Sequence, residues 1–238
     1  CIADGIYLRA SMLNHSCDPN CVVVFDGRKL QLRAIQDVRE GEECTISYVD
    51  VIHPAKERQA ELEERYHFTC KCVKCIEEIN SLGPDDDLDK ELRGRLKKTW
   101  EQIEVEVESH NWTKVLQMCE PYLKPMDSSN SVPTNHRLLI RLRRGAIKAY
   151  VNTHAWDKAI EMGRLLNESL RYHYGPFSPI LGTYLMGIGN ALLELRRLQE
   201  AEKYLTEAKN VLEVTHGPNH ALMLEVQEMF VLLEILKT

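Results

Sequence analysis

Three stretches in the second half of the chain echo one another: His110-Asn-Trp112-Thr-Lys114-Val-Leu-Gln-Met118, His154-Ala-Trp156-Asp-Lys158-Ala-Ile-Glu-Met162 and Arg196-Arg-Leu198-Gln-Glu-Ala201-Glu-Lys-Tyr204. Their offsets are 44 and 42 residues. Two Gly-Pro pairs, Gly175-Pro176 and Gly217-Pro218, repeat the offset of 42. Self-similarity at this period is the mark of stacked helix pairs, each burying its apolar face only against its neighbours. The competing reading is a bundle of unrelated helices. The Trp, Gly-Pro and small-residue positions agree in phase, which favours the repeat. Each Gly-Pro is expected to end a helix. From about residue 90 to the end, the chain therefore reads as an antiparallel helical array, folded back over the residues before it.

The stretch from Ile188 to Ala208 resembles a tetratricopeptide repeat, with Gly189, Ala201 and Ala208 small enough for paired helices to approach closely.

Before residue 81 the pattern differs. Cys21–Phe25, Leu30–Ala34 and Cys44–Tyr48 are short runs rich in β-branched and aromatic residues and read as strands. Asp26-Gly27 between the first two is a hairpin turn signal. Arg39 to Glu43 forms a polar turn, and Pro54 opens a helix reaching about Tyr66. Ser81–Asp89, with Gly83, Pro84 and an acidic run, is the expected linker. The fold class is thus α+β, with a strand-rich first part and an all-α second part.

Composition narrows the function classes. The chain of 238 residues is 44% hydrophobic and 28% charged, an ordinary globular balance. A net charge of −6 gives no electrostatic support to nucleic-acid binding. No run of about 18 apolar residues suggests a membrane span. Of eight cysteines, seven lie within the first 75 residues. Disulfide scaffolds are smaller and space their cysteines throughout. Cys70-Lys-Cys72-Val-Lys-Cys75 instead offers three thiolates suited to a metal in a reducing compartment; the alternative is three free thiols in a mobile tail. Structural zinc takes four tetrahedral ligands. On spacing alone the fourth is Cys17, Cys21, Cys44 or, less favoured, His67.

Two further motifs stand about 30 residues apart: Asn14-His15-Ser16-Cys17-Asp18-Pro19-Asn20 and Gly41-Glu42-Glu43-Cys44-Thr45-Ile46-Ser47-Tyr48-Val49-Asp50. Taken singly, a Tyr ending a strand is usually half-buried structure and an Asn-His pair is usually a turn. In this order, and followed by Tyr66-His-Phe68-Thr-Cys70-Lys-Cys72, they resemble the end of a SET domain and its post-SET segment. With the helical second half, the chain resembles the SET- and MYND-domain (SMYD) protein lysine methyltransferases. Trp112 to Cys119 and Val214 to Gly217 narrow the likeness to one branch of that family.

The resemblance implies a division into the C-terminal part of a SET domain (1–50), a zinc-binding post-SET segment (51–80) and a tetratricopeptide-like helical domain (81–238). It implies a threaded arrangement in which the strand of the second motif passes the loop of the first. Asn14, His15, Tyr66 and Phe68 would contact S-adenosylmethionine, with Tyr66 also lining the lysine channel. Tyr48 would be the catalytic tyrosine, and Cys17 would join Cys70, Cys72 and Cys75 on zinc. Cys44 stands where the family commonly has an apolar residue. The implied partners are a protein or peptide carrying a target lysine, histone tails among them, and further proteins on the helical domain. The implied location is cytoplasm and nucleus. Neither a Gly-x-Gly cofactor segment nor a second Cys/His cluster is present. The chain is thus expected to be a fragment, inactive alone; the alternative is a non-catalytic helical-repeat interaction module carrying a SET remnant.

Overall fold

A computed structural model describes residues 5–80, 88–124 and 131–238. The linker reading falls mainly outside these residues, and only Leu88 and Asp89 of it are described. After a 3-10 turn at Ala10–Met12 come β1 (Asn14–His15), β2 (Cys21–Asp26), β3 (Lys29–Ala34) and β4 (Thr45–Ile46). Nine helices follow among the described residues: α1 (Ala55–Tyr66), α2 (Val73–Asn80), α3 (Lys90–Glu108), α4 (Trp112–Leu123), α5 (Arg137–Asn152), α6 (Trp156–Tyr174), α7 (Pro179–Glu194), α8 (Leu198–Thr215) and α9 (Ala221–Lys237). The α+β class holds. Among the described residues beyond residue 90, every regular element is a helix.

β2 and β3 form the expected hairpin, with Asp26 opposite Lys29 and Gly27 at φ 56° in the turn. The third expected strand is shorter than its sequence suggests. Only Thr45–Ile46 pairs, and it pairs in parallel with β1: Asn14 opposite Thr45, His15 opposite Ile46. On either side, side chains replace the ladder. Asn20 Oδ1 accepts from Thr45 N at 2.9 Å, and His15 Nδ1 accepts from Tyr48 N at 3.0 Å.

The helical repeat appears in the turns as well as in the helices. His110, His154 and Arg196, equivalent across the three echoes, all adopt left-handed φ of 58°, 55° and 55°. Each is followed by the same closing bond, from Asn111, Ala155 and Arg197 N to the carbonyls of Glu106, Tyr150 and Leu192. The two Gly-Pro pairs end helices as expected: Gly175 caps α6 at φ 76°, and Gly217 follows α8 at φ 83°.

The close approach of α7 and α8 depends on Gly189. A Cβ there would lie 2.5 Å from Leu205 Cδ2 and 2.7 Å from its Cγ, and Leu205 is fully buried. Overpacking of this kind costs about 1–3 kcal/mol. Alanine's better helix propensity returns about 1 kcal/mol at most. Gly189→Ala is therefore expected to lower the urea midpoint, whereas Gly187→Ala, with open space around it, should leave it unchanged or raise it.

The array packs on the strand-bearing part at separated points. Arg137 of α5 makes a two-pronged ion pair with Glu57 of α1. Tyr174 of α6 donates to Asp50 Oδ1 at 2.5 Å. Lys74 Nζ donates to the His173 carbonyl at 2.8 Å. Arg33 of β3 donates to the carbonyls of Val214 and Glu213 at 3.0 and 3.1 Å, closing the end of α8. Beside it the buried His216 ring is pushed down to about 4, by burial first, then by His220 and Arg33. An unfolded histidine titrates near 6.5. Stability carried by neutral His216 is thus present above about pH 6.5 and is lost as pH falls toward 4. Urea midpoints measured between pH 7 and 5 should fall, and His216→Gln should flatten that slope.

Candidate functional site

The site forms where the two sequence motifs meet. Tyr48 follows β4, and its ring centroid lies 5.2 Å from His15, 4.8 Å from Tyr66 and 6.4 Å from Phe68. His15 and Phe68 are 5.9 Å apart. Tyr66 and Phe68 join the cluster because α1 ends at His67 in the left-handed region, φ 59°, which reverses the chain. His67 itself is exposed and stands outside the thiol cluster, so it leaves the ligand candidates. The Tyr48 hydroxyl donates to the Leu13 carbonyl. Burial, then Tyr66 and Glu43, push its pKa up, so it stays protonated at neutral pH.

His15 is occupied at both nitrogens. Nδ1 accepts from Tyr48 N, and Nε2 lies 3.1 Å from Cys17 Sγ. Burial, then Arg58, hold it down at about 4, so it stays neutral at pH 7. Its ring face and backbone remain for a ligand. Asn14 is exposed, and its amide donates to Glu43 Oε1 at 2.5 Å.

Directly beneath lie Cys17, Cys70, Cys72 and Cys75, whose sulfurs all fall within 4.8 Å of one another. Tetrahedral zinc–thiolate geometry needs sulfurs about 3.8 Å apart, and Cys17 and Cys75 stand at 3.5 Å. The four thiols are uncrosslinked and could hold a metal ion. Of the alternatives from spacing, Cys21 and Cys44 are free thiols hydrogen-bonded to each other and lie outside the four-sulfur cluster; burial, then Cys44, push Cys21 up to about 11.

Sequence reasoning missed Arg58. It is fully buried in α1, donating to Cys17 Sγ at 3.2 Å and Cys75 Sγ at 3.5 Å and pairing with Glu78 at 2.9 Å. Its guanidinium also bonds the His53 carbonyl. The hydrogen bond shared with Cys17, then the nearby Arg58, hold Cys75 down at about 5. The signal was available: Ala55, Arg58 and Leu62 share the buried stripe of α1, and a cation on an apolar stripe calls for an anionic partner.

The SET domain family model matches residues 3–49. Human histone-lysine N-methyltransferase SMYD3 is 33% identical over 234 residues, covering 97% of this chain and 52% of the relative. The mouse SMYD3 is 32% identical over the same span. Over nearly its whole length the chain is similar to SMYD-family lysine methyltransferases. Human N-lysine methyltransferase SMYD2 is 24% identical over 237 residues, covering 95% of this chain and 54% of its own length. The chain thus spans about half the length of the curated SMYD relatives it matches. Among the described residues, no helix is long and apolar enough to cross a membrane.

Proposed function

We propose that the protein carrying this chain transfers methyl groups from S-adenosylmethionine to lysine side chains of other proteins, histones among them. The observation that supports this most is the convergence of His15, Tyr48, Tyr66 and Phe68 beside the β1–β4 pair. On this reading residues 1–50 belong to the SET domain, 51–80 carry the metal, and 81–238 form the substrate-facing array. The proteins acted on are those of cytoplasm and nucleus, where thiols stay reduced.

S-adenosylmethionine, when bound, supplies an electrophilic methyl carbon. Asn14, the ring face and backbone of His15, Tyr66 and Phe68 would hold it, and they fit: Asn14 and Tyr66 are exposed and Phe68 is half-buried. The ring walls exclude water from the incoming lysine. That matters because lysine titrates near 10.4 and only its neutral amine is nucleophilic. Tyr48, kept protonated, has its proton engaged by the Leu13 carbonyl. Its oxygen lone pairs are thereby turned to accept an amine N–H and hold the nitrogen in line. Positioning of this kind supplies much of the acceleration. The test is transfer of labelled methyl groups to a mixed pool of histone and cytosolic proteins by the full-length protein. Label on lysine is expected; a folded, cofactor-bound protein that labels no lysine overturns the reading.

For the thiol cluster we propose one structural zinc, held by Cys17, Cys70, Cys72 and Cys75. Purified chain should contain one zinc, and removing it with a chelator should lower the melting temperature by several degrees. Cys17→Ser should weaken zinc retention by about an order of magnitude or more. Retention unchanged in that variant would remove Cys17 from the ligand set.

A further inference from the structure

A groove lies on the helical array, away from the aromatic site. It measures about 1130 Å³ and runs between α3 and α5, with Trp100, Ile147 and Tyr184 among its lining. One wall carries Glu101, Glu104 and Glu108 of α3, preceded at its N-terminal end by Lys97; the other carries Arg141, Arg144 and Lys148 of α5. Both sets follow the three- and four-residue spacing that keeps side chains on one helix face, about 5–6 Å apart. Among the described residues, no cation lies within 4.0 Å of these carboxylates and no carboxylate lies within that distance of these cations. The cations rest on neutral or aromatic neighbours. Arg141 Nη2 is 3.4 Å from His53 Nε2, Arg144 Nε donates to the Tyr184 hydroxyl at 3.1 Å, and Lys148 stands 5.7 Å above the Trp112 ring. Arg137 and Glu57 also line the groove but are paired with each other. Two rows of opposite charge thus face one groove without neutralising each other.

We propose that this groove binds an extended peptide in which acidic and basic residues alternate. An extended chain sends successive side chains to opposite sides. Same-side residues recur about every 6.7 Å, close to the spacing of the helical rows. Acidic side chains of such a peptide meet the α5 row while its basic ones meet the α3 row. A uniformly acidic or basic peptide meets one row and is repelled by the other. The net charge of −6 does not select such a ligand; the local pattern does. This inference is independent of the methyltransferase reading.

The test uses the full chain and a labelled peptide of about ten residues alternating glutamate and lysine. Controls are a peptide of the same composition in two blocks, one of glutamate alone and one of lysine alone. Fluorescence anisotropy at low salt should show the alternating peptide binding at least about tenfold tighter than any control, with affinity falling as salt rises. The neutral pair Arg144→Gln and Lys148→Gln should weaken it by about tenfold. Reversing both walls together, with Glu101→Lys, Glu104→Lys, Glu108→Lys, Arg141→Glu, Arg144→Glu and Lys148→Glu, should restore binding, because a slide of one residue re-pairs an alternating peptide. Equal or tighter binding of the block or glutamate peptide overturns the proposal, as does unchanged binding by the neutral pair.

Discussion

Replacing Arg58 with methionine is expected to destabilise the chain by about 3–5 kcal/mol, the usual cost of removing one member of a buried ionic network. Methionine fills much of the volume, so the loss is electrostatic rather than a cavity. It leaves Cys17, Cys75, Glu78 and the His53 carbonyl without their shared donor. Four metal-bound thiolates around a divalent ion carry a net charge of −2, and the guanidinium sits where it offsets part of that charge. Arg58→Lys keeps the charge but cannot reach all these acceptors at once, so it should fall between methionine and the native residue. Urea unfolding with bound metal quantified alongside checks this. A methionine variant of native stability and native zinc content would make Arg58 a bystander.

The second large effect is kinetic. In the full-length protein, Tyr48→Phe is expected to lower kcat by about 10²–10³, the range for losing one preorganised hydrogen-bonding group, with little change in KM. Phenylalanine keeps the ring against His15 and Tyr66. Only the hydroxyl and its bond to the Leu13 carbonyl are lost, and one such bond contributes about 0.5–1.5 kcal/mol to stability. A large fall in turnover with a small change in melting temperature therefore separates mechanism from folding. Near-native turnover would take Tyr48 out of the reaction.

Patterns were legible where they are local or periodic. The repeat of 44 and 42 residues anticipated helices whose turns share even the left-handed residue at His110, His154 and Arg196. The hairpin at Asp26-Gly27 was equally plain. The Cys44–Tyr48 strand was overextended because β-branched composition cannot reveal that Asn20 and His15 side chains take over its flanking amides. Spacing left four candidates for a fourth metal ligand. Only the fold separates them, since Cys21 and Cys44 turn toward each other and the exposed His67 side chain stands outside the thiol cluster. Arg58 escapes notice because α1 is dense in charged residues, among which one cation on the buried stripe does not stand out. The bond from Tyr174 to Asp50, two residues after Tyr48, joins positions 124 apart and leaves no periodic trace.

The contact of Arg33 with the carbonyls of Glu213 and Val214 has a consequence for biosynthesis. The partners are 180 and 181 residues apart. At about 5–20 residues per second, the ribosome takes roughly 10–40 seconds to make the stretch between them. Throughout that interval the β2–β3 hairpin has been made while the segment that receives Arg33 has not. The hairpin that carries Arg33 is therefore among the last parts of this chain to reach its final contacts. Its nascent form, with cysteines and strand edges uncovered, is the stage at which chaperone engagement and metal loading have the most time to act.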